Sequence, residues 1–172
     1  MNLTLRRFLD RTGILVPLIA SGMALAEPSE GHWYKCNTHT HTAAFERSDA
    51  DAPPMEVAQC FKTHGYQCLV ITDHEHFTDV REINTRLGDG SFLVLPGQEI
   101  TQIVADASHE KGVRHAHVNG IGTGEVILPL GLERGWRPGD RYPGPWKGTL
   151  QESFARNVAE VRRQGGVPQI NH

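Results

Sequence analysis

Thiols are scarce in this chain of 172 residues: Cys36, Cys60 and Cys68 are its three cysteines, and none stands in a C-x-x-C pair. A thiolate zinc knuckle is therefore not expected. The G-x-S-x-G turn that presents a nucleophilic serine is missing, as is the G-x-x-x-x-G-K-[ST] phosphate loop. There is no internal repeat and no low-complexity tract. Basic residues are also short, with 17 Lys and Arg against 20 Asp and Glu, for a net charge of −3. Binding to nucleic acid calls for a basic patch, so no nucleic-acid partner is expected. Nor is there an apolar run of the roughly 20 residues that a membrane span requires.

The longest apolar run, Ile14 to Ala26, is interrupted by Pro17 and preceded by Arg6, Arg7 and Arg11. Ala24-Leu25-Ala26 forms a small-x-small cleavage site. Together these features predict a signal peptide over 1–26, with 27–172 as the mature domain and no stable membrane anchor after cleavage. Arg6-Arg7-Phe8-Leu9 faintly matches a twin-arginine signal, so both Sec and Tat export to the periplasm or medium stay open. Losing three Arg and one Asp takes the net charge from −3 to −5. The cysteines read as buried free thiols packed as small hydrophobes. An oxidising compartment also permits one disulfide with one thiol left over.

Short apolar runs alternate with helical stretches. Strands are expected over 33–38, 68–71, 92–95 (stopped by Pro96-Gly97), 113–121 and 167–171. Helices are expected over 55–64, behind Pro53-Pro54 and before Gly65, over 79–87, and over 150–164. In the last helix Phe154, Val158 and Val161 recur at helical spacing. Strands apolar on both faces, separated by helices, predict a parallel sheet with helical cover, and a closed or nearly closed β/α barrel fits best. Residues 126–148 hold five Gly and four Pro and read as a long irregular insertion at the surface or rim.

What the chain has in excess is histidine, ten in all. They form three His-x-His pairs, His39/His41, His74/His76 and His115/His117, where random placement gives roughly half of one such pair. Residues i and i+2 of a strand share a face, so each pair can aim two imidazoles at one point. His39 and His41 follow the first expected strand, Asp73 and His74 the second, Glu99 the third and His172 the fifth. In a β/α barrel these strand ends converge where active sites sit. His117 lies inside the fourth strand instead. Imidazole and carboxylate without thiolate suit Zn²⁺, Mn²⁺ or Fe²⁺, and two such ions can activate water against an ester or phosphate. His76 and His115 read as solvent-facing or as outer partners of the ligands.

Six segments resemble, in order, the motifs of the polymerase-and-histidinol-phosphatase (PHP) metallohydrolases. Trp33-Tyr34-Lys35-Cys36-Asn37-Thr38-His39-Thr40-His41-Thr42 is similar to the first motif, nearest to the branch of carbamate (carbaryl-type) hydrolases, where Gly is usual at the place of Cys36. Ser48-Asp49-Ala50-Asp51 resembles a Ser-Asp-Gly-Asp segment. Ile71-Thr72-Asp73-His74, Pro96-Gly97-Gln98-Glu99, His117-Val118-Asn119-Gly120 and Ile170-Asn171-His172 resemble those that follow. The resemblance covers about residues 32–172. It implies a distorted, TIM-like β/α barrel with two or three divalent metal ions. Carried over by motif, His39 and His41 bind one metal, Glu99 bridges to a second, His117 binds that second, and His74 and His172 serve neighbouring sites. Asp49 is a possible ligand and Asp73 orients one; Glu99, His41 and Asp73 are the expected catalytic group. The family pattern continues to an Asp-x-His pair, and the chain stops at His172, so a barrel incomplete at its C-terminus is expected.

The function this implies is a metal-dependent hydrolase of a small-molecule phosphate ester or carboxylic or carbamic ester. An amidohydrolase barrel also opens with His-x-His but wants a bridging lysine that has no counterpart here. A non-catalytic exported metal-binding protein is the alternative from another class.

Overall fold

The structure is a computed structural model and describes residues 31–46 and 48–171, which leaves the expected signal peptide and His172 outside the described residues. The described fold lies within Trp33–His172. Its elements run β1 (Cys36–Asn37), α1 (Pro54–Thr63), β2 (Cys68–Ile71), α2 (Arg81–Leu87), β3 (Leu93–Ala105), β4 (Val113–Ile121), α3 (Leu150–Arg163) and β5 (Val167–Ile170).

The sheet is in the order β1-β2-β3-β4-β5. β1, β2 and β3 are parallel, but β4 runs antiparallel to both β3 and β5. A TIM-like barrel is thereby corrected: the described residues form a curled, mixed five-stranded half-barrel with three short helices. The physical reason lies in the link from β3 to β4. A parallel crossover needs a dozen or more residues, usually with a helix. Here only residues 106–112 intervene, closed by Asp106 N to Gly112 O at 2.9 Å, so the two strands form a hairpin.

The expected stop at Pro96-Gly97 is likewise corrected, because β3 continues through both residues to Ala105. Pro96 is the last rung of the β2 ladder, and Gly97 is the first of the β4 ladder. Proline is tolerated at such a margin, where a ladder begins or ends. Gly97 answers to close approach: a Cβ there would lie 2.8 Å from Val70 Cγ1 and 2.9 Å from Gly120 O.

One core packs Ala58, Ile83 and Val80 of the helical side onto Leu69, Ile71, Phe92 and Val94. A second, smaller core joins Ile100, Ile127 and Val161. Helix α3 opens on a capping box, Thr149 with Glu152, which satisfies two end amides. Its buried residues are Ser153, Asn157 and Val161, so the inward stripe is rotated from the expected Phe154, Val158 and Val161. The 126–148 insertion is sewn onto β3. Gln98 Oε1 accepts from Ile127 N at 3.0 Å, Gln102 Oε1 accepts from Leu130 N at 2.6 Å, and Trp146 pairs with Val104. The cysteines also differ from the free-thiol reading: Cys36 and Cys68, opposite each other in the β1–β2 register, form a disulfide, and Cys60 is free and exposed.

Candidate metal centre

Beyond β1 the chain runs on as Thr38-His39-Thr40-His41-Thr42, pinned where Asn37 Oδ1 accepts from His39 N at 2.9 Å and Thr40 Oγ1 at 3.1 Å. Alternation then sorts the side chains. Thr40 and Thr42 are buried against Thr72 and Asp73. His39 and His41 reach Glu99, which β3 carries past the end of β2, where it bridges to His74.

Glu99 is the hub. Its Oε2 lies 3.1 Å from His39 Nε2, 2.9 Å from His41 Nε2 and 3.5 Å from His74 Nδ1. Its Oε1 lies 2.7 Å from His117 Nδ1 and accepts from Asn171 Nδ2 at 3.1 Å. Asp49 joins the other side, 2.9 Å from His41 Nδ1 and 3.4 Å from His74 Nε2. Among the described residues, three overlapping groups could each hold a metal ion: His39, His41 and Glu99; His41, Asp49 and His74; His74, Glu99 and His117.

The donor geometry fits a cation. Ligand atoms around a tetrahedral zinc at 2.0–2.1 Å are about 3.3 Å apart. His39 Nε2, His41 Nε2 and Glu99 Oε2 lie at 2.9 to 3.1 Å from one another, close to that spacing. His41 faces a carboxylate with each ring nitrogen, and only an imidazolium donates to both. The Glu99 hydrogen bond, against burial and aided by Asp49, accordingly pushes the His41 pKa up to about 9. The proton on Nε2 is the one a cation would replace, and Asp49 would then hold the Nδ1–H as an orienting partner.

Burial pushes the Glu99 carboxyl up, but hydrogen bonds from His117 and His41 outweigh it and hold the group well below the usual carboxylate range. Asp49 is also lowered, with His41 overcoming its desolvation. His74 moves the other way: burial lowers it, so the ring favours the neutral form that binds metals.

Asp73 stands apart from the cluster. It is buried, and it accepts from Thr42 N at 2.6 Å, Thr42 Oγ1 at 2.9 Å and Thr78 Oγ1 at 2.6 Å. It clamps the backbone next to His41 and so positions a candidate ligand. Of the other His-x-His members, His76 contacts Phe45 at 5.0 Å between ring centroids, and His115 is exposed, stacked 5.9 Å from His117. His172 lies outside the described residues.

Three supporting residues had no role in the sequence reading. Asn171 Nδ2 donates to Asn119 Oδ1 at 2.8 Å as well as to Glu99, and Asn119 Nδ2 donates to Thr38 O at 2.9 Å, tying β5, β4 and the β1 end together. Glu75 is buried with a positive φ of 44°, an unusual conformation for a residue with a side chain. Its Oε1 accepts from Thr101 N at 2.5 Å, and its own N–H donates to Glu99 O at 3.0 Å. Burial pushes its pKa up to about 8. The one sequence signal for it was a carboxylate set between His74 and His76.

No family model matches the chain, and searches of curated proteins and of solved structures return no significant match.

Proposed function

We propose that this chain is an exported, metal-dependent hydrolase of the PHP type, acting on phosphate esters or on carboxylic or carbamic esters. The observation that carries the reading is the buried Glu99 carboxylate, met on one oxygen by His39 and His41 and on the other by His117. A carboxylate so placed can bridge two of the candidate ligand groups, which share it. The reading takes two or three divalent ions, Zn²⁺, Mn²⁺ or Fe²⁺, from the imidazole and carboxylate donor set. Bound there, such ions make a nucleophile available from water near neutral pH and polarise an ester oxygen. The chain's own part is to hold the donors in place. His39 and His41 would hold metal from the β1 side and His74 and His117 from the β2 and β4 sides, while Asp49 fixes the His41 ring and Asp73 fixes the backbone beside it. The Cys36–Cys68 disulfide supports an oxidising compartment, in line with the basic, apolar N-terminus.

The test is metal content and hydrolysis of aryl phosphates and aryl carbamates by the full chain and by Glu99→Gln. The reading expects bound metal and turnover of one ester class, both lost in the variant. Stoichiometric metal with no hydrolysis of either class would leave a metal-binding protein; full metal and activity in Glu99→Gln would sink the bridging role.

A further inference from the structure

A cavity of about 560 Å³ opens beside the metal centre and shares its supporting segments. Glu75 and His76, which immediately follow His74, and Phe45, from the loop between His41 and Asp49, all line it. Such a volume is within the range of small-molecule sites.

The lining has two chemistries. Phe45, Phe77 and Trp136 supply aromatic rings, and Val126 and Leu128 supply aliphatic surface. Arg134 and Arg137 bracket Trp136 and also line the cavity. Both are exposed, and among the described residues neither guanidinium has a carboxylate at ion-pair distance. The nearby Asp140 carboxylate is spent on the Arg137 backbone N–H at 2.8 Å, and that of Glu75 on the Thr101 N–H. An aromatic ring in the cavity would stack on rings of its own kind. An anionic substituent on that ring would meet two planar donors suited to carboxylate, sulfonate or phosphate oxygens, whereas a cationic ring would be repelled. The insertion that carries Trp136 and the arginines is anchored independently of the metal ligands, by Gln98, Gln102 and Arg156 Nη1, which donates to Leu128 O at 2.7 Å.

We infer that this cavity seats one limb of the substrate, and that the limb is an aryl anion: an aromatic ring bearing a carboxylate, sulfonate or phosphate. Its place in a reaction rests on the hydrolase reading, while the recognition itself does not.

Calorimetric titration of the full, zinc-supplied chain with 2-naphthalenesulfonate and with the neutral 2-(methylsulfonyl)naphthalene tests it, since sulfonates and sulfones are both poor metal ligands. The sulfonate is expected to bind about tenfold more tightly, the worth of a charge-assisted contact at an open site. Arg134→Ala with Arg137→Ala should erase that preference and leave the sulfone unchanged, and Trp136→Ala should weaken both ligands. Equal affinities, a preference that survives the double substitution, or no binding of either ligand overturns the inference. In the metal-site variant Glu99→Gln the preference for the sulfonate should persist. If selective binding holds while no ester is hydrolysed, the anion site stands and the hydrolase reading falls.

Discussion

Glu99 Oε1 and His117 Nδ1 meet at 2.7 Å, although the β3–β4 register sets Glu99 opposite Asn119 and His117 opposite Thr101. The contact is a diagonal one, between residues two apart on one face of the hairpin. It pins one oxygen of Glu99 from β4 and leaves the other to His39 and His41. His117→Ala removes both this contact and one donor of the His74, Glu99 and His117 group, so it should weaken metal binding by at least the roughly 10- to 100-fold that loss of an orienting partner costs. Competition titration against a chelator measures it, with circular dichroism to check the fold. An unchanged affinity contradicts the role.

Asp73→Ala should destabilise the chain without removing a ligand. It leaves the buried Thr42 N–H and two threonine hydroxyls without their acceptor. A buried group left unpaired costs about 1–3 kcal/mol, so a loss on the order of 3 kcal/mol is expected. Asp73→Asn, which keeps an acceptor, should lose less. Urea midpoints of the metal-depleted protein decide, and equal midpoints for both variants and the parent go against it.

The metal-depleted protein should lose stability as pH rises from about 5 to 9. The folded pKa of His41 is raised from 6.5 to about 9 and that of Glu75 from 4.5 to about 8. In both cases the folded state holds the proton more tightly. The contribution is present below the unfolded value and is lost as pH passes the folded one. On the proposed reading a bound metal would take the place of the His41 proton, so the loaded and depleted midpoints should diverge with rising pH. Glu75→Gln should flatten the part of the loss below pH 8. A depleted protein that grows more stable over this range refutes the protonation states.

Reduction should destabilise the chain. The Cys36–Cys68 bond closes a separation of 32 residues, for which chain entropy gives about 3–4 kcal/mol. A denaturant midpoint that does not move with reductant, or in Cys36→Ser with Cys68→Ser, contradicts this.

Much of the site was legible because strand alternation and metal chemistry speak through local residues. His39, His41 and Glu99 could be grouped from their spacing and from the apolar runs before them, and the structure brings them together. The α1 and α3 helices were readable from Pro54, Gly65 and the run of helical spacing, and β4 fell where expected. The barrel was not. Strands apolar on both faces say that a sheet is covered, not in which direction each strand runs, and direction turned on the short 106–112 link. Pro96-Gly97 looked like a stop because proline lacks a donor, yet at the margin between two ladders it is tolerated. Glu75 was hidden because its burial comes from residues far along the chain: Thr101 for its carboxylate and Glu99 for its N–H. The pairing of Cys36 with Cys68 depended on the β1–β2 register, which no local pattern reveals.

X-ray absorption at the metal edge of the zinc- or manganese-loaded full chain addresses the shared-ligand claim most directly. The account expects a first shell of nitrogen and oxygen at about 2.0–2.2 Å, imidazole scattering from several histidines, no sulfur, and a metal–metal vector near 3.5–4 Å. That pattern should collapse in Glu99→Gln. A shell without imidazole, or one unchanged by Glu99→Gln, would contradict it.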